Sequence, residues 1–247
     1  MNVKDIRLEQ VVTKIDYTTV PVQVHTEDEN IYQADYVLIT VPLGVLKKNS
    51  IQFEPTLPVW KTGAIERIGF GLMNKIILLW DKAWWNFTEY FFIRVHPTNQ
   101  YTFWVNADKW NDKPALVCLV VGSEAERIEM ISNDTQIIEH ILEALREMFP
   151  NQGMPSPIDT LVTRWKSDRF SYGGYSYMSV KQNRQDPFYL SQPVADRLLF
   201  AGEATNADTY GFAHGALTSG RREFTRLIHD YELGSQLKKK NFSSRHN

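Results

Sequence analysis

A single cysteine, Cys118, occurs among the 247 residues, so no disulfide can form within the chain and a cross-linked scaffold is excluded. Cys118 lies inside the apolar run Ala115 to Val121, where a buried structural thiol is expected. This favours a reducing, intracellular compartment without separating cytoplasm, nucleus and peroxisome. No apolar run is long enough to span a membrane, and Met1 to Gln10 alternates charged and apolar residues where a leader would be apolar. Charge of one sign is also missing: a formal net charge of -2 supplies no global field for nucleic acid or an anionic membrane. No Cys/His spacing suits a metal and no nucleophile triad is visible. A Gly-x-Gly-x-x-Gly turn is absent as well. Gly69-Phe70-Gly71 lacks the third glycine and the strand-to-helix setting that would cradle a dinucleotide pyrophosphate.

What is present suffices for a core, with 43% hydrophobic and 13% aromatic residues. Two alternating runs occupy Val11 to Val24, and Ala34 to Val41 is β-branched and uncharged after Asp35. The latter suits a strand buried on both faces of a parallel sheet, stopped by Pro42 at the carboxyl edge where open α/β sheets hold ligands. Trp60, Ala64 and Ile68 recur four apart, predicting a short helix. Strands are predicted around Lys75–Trp80, Tyr90–Val95, Tyr101–Val105 and Ala115–Val121, forming a second sheet. Ser132-Asn133-Asp134 reads as a cap for a helix with Ile137, Ile141, Leu145 and Met148 on one stripe. A last helix is expected from about Phe212 to Leu233, and then a frayed polar tail at 236–247.

Leu199-Phe200-Ala201-Gly202-Glu203-Ala204-Thr205, followed by His214-Gly215-Ala216 and Ser219-Gly220, has a legible chemistry. A strand delivers a glycine that lets backbone approach a ligand, and a carboxylate able to accept from sugar hydroxyls. A helix then opens with unpaired N–H groups. This segment resembles the C-terminal signature of flavin amine oxidases, the superfamily of polyamine oxidases and lysine-specific histone demethylases. Three further stretches resemble the family in the same order: Thr40 to Lys47; Trp60 through Gly69-Phe70-Gly71 to Asn74-Lys75, which closely resembles the lysine-specific histone demethylases; and Arg164 to Tyr177. The resemblance spans roughly residues 3 to 232 and only the C-terminal half of such an enzyme. It implies an α/β (α+β) fold: pieces of an incomplete Rossmann-like FAD-binding domain at 1–71 and 184–235, and part of a substrate domain at 72–183 with a mixed sheet flanked by helices.

The resemblance also implies roles. Lys75 would be the lysine that reaches the flavin N5 through a water. Tyr175 and Phe212 would wall an aromatic cage that guides an amine by cation–π attraction. Val12 would meet the adenine through its backbone, Thr40, Val41 and Pro42 would pass beside the flavin, and Trp165 and Phe170 would pack near it. Gly202, Glu203 and Ala213 would contribute backbone approach, a ribityl-contacting carboxylate and an N–H contact. Gly174 stands where a serine is frequent, so one contact is lost. Plainer readings accompany each: Lys75 could snorkel from a strand end, the aromatics could be core, and Glu203 could be a surface carboxylate. For His214 a structural place near a helix start is preferred over a base.

The implied reaction is oxidation of an amine to an imine and aldehyde, with O2 reduced to hydrogen peroxide. Phe212, where the histone demethylases carry threonine, points to a slim polyamine. The wording around Lys75 points to a histone tail, and the missing glycine turn to a third reading, a non-catalytic fragment without FAD.

Overall fold

The computed structural model describes residues 5–110 and 113–243, and the chain divides into two compact units, 71–174 and the combination of 1–70 with 175–247. Strands β1 (Val12–Asp16), β2 (Val22–Thr26) and β3 (Ile31–Ala34) follow in sequence. Next come β4 (Val37–Ile39), helix α1 (Leu43–Lys48) and β5 (Gln52–Glu54). Helix α2 (Val59–Arg67) and β6 (Gly69–Gly71) end this stretch. The order β3-β2-β1-β5 forms a four-stranded sheet in which β1 runs antiparallel to β2 and parallel to β5.

Unit 71–174 holds β7 (Met73–Leu79), β8 (Phe91–Ile93), β9 (Phe103–Asn106) and β10 (Ala115–Val121). Helices α3 (Gly122–Met130) and α4 (Asp134–Met148) follow, then β11 (Asp159–Val162). The order β11-β7-β10-β9-β8 makes one antiparallel sheet. Alternation decides its faces. Ile76, Leu78, Trp104, Leu116, Cys118 and Val120 point one way and are buried with Ile137, Ile141 and Leu145 of α4. Burial pushes the Cys118 thiol well above its ordinary pKa, as an inert core thiol requires. Asn133 caps α4 by accepting from Thr135 N–H at 3.0 Å. Trp80, Trp84 and Trp85 pack edge to face with centroids 5.4–5.7 Å apart, extending the core.

The first unit is completed by β12 (Tyr175–Tyr177), α5 (Asp186–Ser191), β13 (Leu198–Phe200) and α6 (Ala213–Ser243). Strand β13 pairs in parallel with β4, and β12 pairs with β6. Two expectations change. The run Ala34–Val41 does not form one doubly covered strand: β3 and β4 split it and belong to different sheets. Among the described residues β13 is the one strand paired with β4, and Tyr36 and Leu38 are exposed. The final helix also runs on to Ser243, so Lys238–Lys240 are helical rather than frayed, while 244–247 of the expected tail lie outside the described residues.

Among the described residues no helix is long and apolar enough to cross a membrane, and no group of His, Cys, Asp and Glu is placed to hold a metal ion.

Candidate active site

Parallel pairing of β4 and β13 aligns Val37, Leu38 and Ile39 with Leu198, Leu199 and Phe200, and Ala201 N–H continues the ladder to the Ile39 carbonyl at 3.0 Å. Both strands therefore run out at one carboxyl edge. There the chain delivers Thr40, Val41 and Pro42 from one strand and Gly202 and Glu203 from the other. Gly202 has φ +128°, a conformation that L side chains rarely adopt, and a Cβ built there would meet no atom within 4 Å. The space over this backbone is open, which suits close approach of a planar or sugar-like group.

Helix α6 braces that turn. Ser219 Oγ accepts from Gly202 N–H at 2.8 Å. Arg222 donates to the carbonyls of Phe200 and Thr205 at 2.8 and 3.0 Å and to Thr205 Oγ1 at 3.1 Å. Neither residue was singled out from sequence. The signal was there in part, since Ser219 lies inside the Ser-Gly pair that ends the signature.

Glu203 has a different set of partners from those expected of a free ribityl contact. Its carboxylate accepts from Ser176 N–H at 3.1 Å, Ser176 Oγ at 2.5 Å and Gly211 N–H at 2.5 Å. These two partners each precede or follow a predicted cage residue, so Glu203 pins the Tyr175 and Phe212 segments together. A Cβ at Gly211 would lie 3.5 Å from the Tyr175 ring and 3.1 Å from the Ser176 carbonyl, which with φ +76° explains a glycine at this crossing. Phe212 is 61% exposed and Tyr175 38%, so both rings are open to an incoming group. Phe212 stacks on His214 at 5.3 Å, giving the imidazole a packing role. Ala213 opens α6, and Val12 opens β1 in the four-stranded sheet.

In unit 71–174 the sheet face opposite the helices carries Lys75. Cross-strand register places it in the row Ile93, Phe103, Leu119, Lys75, beside the row Phe91, Val105, Val117, Ile77, Leu161. In these two rows Lys75 is surrounded by apolar side chains, and it is itself half-buried. Asn74 points the other way and is fully buried. Its side-chain oxygen accepts from Trp165 N–H and Thr163 Oγ1, both at 3.0 Å, and its amide donates to Glu129 at 2.8 Å. Lys75 N–H in turn donates to Thr163 Oγ1 at 2.8 Å. Asn74 thus locks the backbone of Trp165 beside the strand that bears Lys75, a role the sequence does not reveal although Asn74 directly precedes Lys75. Burial raises the Glu129 carboxyl, but hydrogen bonds from Ser167, Asn74 and Lys166 N–H outweigh it and hold the group below the usual carboxylate range. Trp165 and Phe170 are 39% and 55% exposed. Asp168 shapes their loop, accepting from Phe170 N–H at 3.0 Å and Ser171 Oγ at 2.6 Å.

The profile of the family described as flavin containing amine oxidoreductase matches residues 2–228. The chain therefore belongs to the flavin-containing amine oxidoreductases, whose cofactor is FAD. Among its relatives, histone demethylase-like protein A of Aspergillus fumigatus is 38% identical over 91% of this chain and 22% of its own length. Lysine-specific histone demethylase 1 homolog 2 of Arabidopsis thaliana is 41% identical over 85% of this chain and 29% of its own. Polyamine oxidase 4 of Oryza sativa subsp. japonica is 41% identical over 87% and 44%, respectively. The chain thus spans less than half the length of these relatives.

Proposed function

We propose that this chain forms part of an FAD-dependent oxidase of amines, with a linear polyamine as substrate and O2 as the oxidant. Single support for this reading comes from the shared carboxyl edge of β4 and β13, where Thr40, Val41, Pro42, Gly202 and Glu203 converge under an open glycine. In this reading unit 1–70 with 175–247 contributes residues to FAD, and unit 71–174 contributes the substrate-facing sheet. A bound FAD supplies the hydride acceptor for the amine α-carbon and the place where oxygen becomes peroxide. The chain's own residues would then orient and desolvate the amine. Tyr175 and Phe212 would flank the alkyl group and exclude water, and the Lys75 ammonium would hold a water at hydrogen-bond distance. Gly202 and Ala213 would bring backbone close to the cofactor, with Trp165 and Phe170 as apolar packing.

Phe212 favours the polyamine, because an exposed aromatic ring stands where the histone demethylases that the sequence resembles carry threonine. The demethylase reading keeps one support, the likeness of residues 60–75 to the histone demethylases, in which case a methylated lysine side chain takes the polyamine's place. The test is an absorption spectrum of the purified chain after FAD is added and excess removed, followed by peroxide assays with spermine and with a dimethyl-lysine peptide. Retained flavin bands and spermine-dependent peroxide are the expected outcome. Lys75→Met should then slow turnover at least tenfold with no change in unfolding temperature. Loss of all flavin on gel filtration would overturn the reading for this chain.

A further inference from the structure

The open face of the five-stranded sheet ends in a cavity of about 460 Å³, lined by Ile77, Leu79, Val117, Leu161, Asp159 and Lys113 among others. Its floor continues the rows that contain Lys75, because Ile77 pairs with Val117 and Leu161, and Leu79 pairs with Ala115 and Asp159. Asp159 therefore shares the Lys75 face of the sheet. It lies four residues along β7 and one strand across, about 13 Å along the strand direction and about 5 Å sideways. Between the two on this face stand Ile77, Leu79 and Leu161.

The two charged side chains at the far end differ in availability. The Lys113 ammonium is held by Asp81 at 2.8 Å. Asp159 uses Oδ1 to accept from Thr160 N–H at 2.8 Å, and Oδ2 has no protein partner among the described residues. An apolar strip with a cation at one end and an available carboxylate at the other is complementary to a long chain of methylenes that carries a second ammonium. A monoamine would leave Asp159 unused.

We propose that Asp159 is a specificity-determining residue: it takes the distal ammonium of a linear polyamine whose methylene chain lies over Ile77, Leu79 and Leu161. This rests on the amine-oxidase reading for the identity of the ligand, but the binding can be measured without flavin. Calorimetric titration of the purified chain with spermine should show saturable binding that weakens with added salt. Asp159→Asn should lower spermine affinity about tenfold, the size of one charge-assisted contact, and leave butylamine binding unchanged. Leu161→Ser should weaken spermine severalfold through the strip itself. If FAD is retained, the KM for spermine should rise about tenfold in Asp159→Asn with kcat unchanged. Equal spermine affinity in the two proteins, or no binding by the unmodified chain at millimolar spermine, overturns the anchor. Peroxide production that is independent of Asp159 would remove the anchor and leave the oxidase. Asp159-dependent binding in a chain that oxidises no amine would keep the anchor and remove the oxidase.

Discussion

Two lysines, Lys61 and Lys75, illustrate how much a residue's chemistry depends on what the fold places around it. Lys75 sits on the open face of its sheet, half-buried. Lys61 is fully buried in α2, with its Nζ donating to the carbonyls of Leu190 and Gln192 at 2.7 and 2.6 Å and lying 3.5 Å from the centre of the Phe200 ring. Burial pushes its amine down to about 6; Glu223 opposes this, and Arg222 and Arg226 add to it. Because the folded pKa is lowered, between about 6 and the ordinary 10.5 the unfolded chain holds a proton that the folded chain does not. Stability therefore rises with pH across that window, and below it the desolvation penalty is constant. Relative to Lys61→Met, the unmodified protein should gain up to about 1.4 kcal/mol per pH unit between pH 7 and 9 in denaturant titrations. A difference that stays flat with pH would show the ammonium to be charged inside the fold. Sequence could single out Lys75 because a family motif surrounds it. Lys61 stood in the same stretch and read as an ordinary helix residue, since its partners come from α5, β13 and α6, more than a hundred residues away.

At the scale of elements, α6 combines a tight approach with a loose one. A Cβ at Gly215 would meet the Thr209 carbonyl oxygen at 2.0 Å, whereas one at Gly220 meets nothing within 4 Å. Gly215→Ala should lower stability by about 2–3 kcal/mol, because backbone and not a flexible side-chain end must shift. Gly220→Ala should raise it by about 0.5–1 kcal/mol through helix propensity alone, and paired thermal melts would check both. Elements with a clear period were legible. The Ile137-Ile141-Leu145 stripe became α4 with its Asn133 cap, and Ala115–Val121 became β10 over the predicted span. The run after Ala34 was misjudged because β-branched composition reports burial of a strand, not how many partners it has. Among the described residues β4 has one. The brace that Ser219 and Arg222 put on the Gly202 turn, and the Glu203 pin between Ser176 and Gly211, were invisible for the same reason: they are pairings over 8 to 27 residues that no local pattern encodes.

At the scale of the whole molecule the two units differ in how they are threaded. The aromatic and aliphatic core cluster around Ile76, Trp80, Trp104 and Leu145 lies entirely within 71–174, a continuous segment. Residues 1–70 leave β4 without a partner unless β13 is supplied, and leave Arg67 without Asp186, which it pairs with at 2.6 Å. Expressed alone, 71–174 should show a cooperative thermal transition, while 1–70 alone should not; circular dichroism of both pieces decides this. The β4–β13 edge, proposed to meet FAD, depends on the discontinuous unit, so it can form only after the chain has returned from the second unit to place β13 beside β4.

Tryptophan is spread unevenly over that division. Of the seven, Trp60 alone belongs to unit 1–70 with 175–247, and the other six, Trp80, Trp84, Trp85, Trp104, Trp110 and Trp165, belong to 71–174. Three of these six are in edge-to-face contact at 5.4–5.7 Å, close enough for their excited states to couple. Indole emission is thus an optical signal chiefly of one unit, with Trp60 as the other unit's contribution. A flavin, which quenches indoles by energy transfer, would carry its own report of how near it comes.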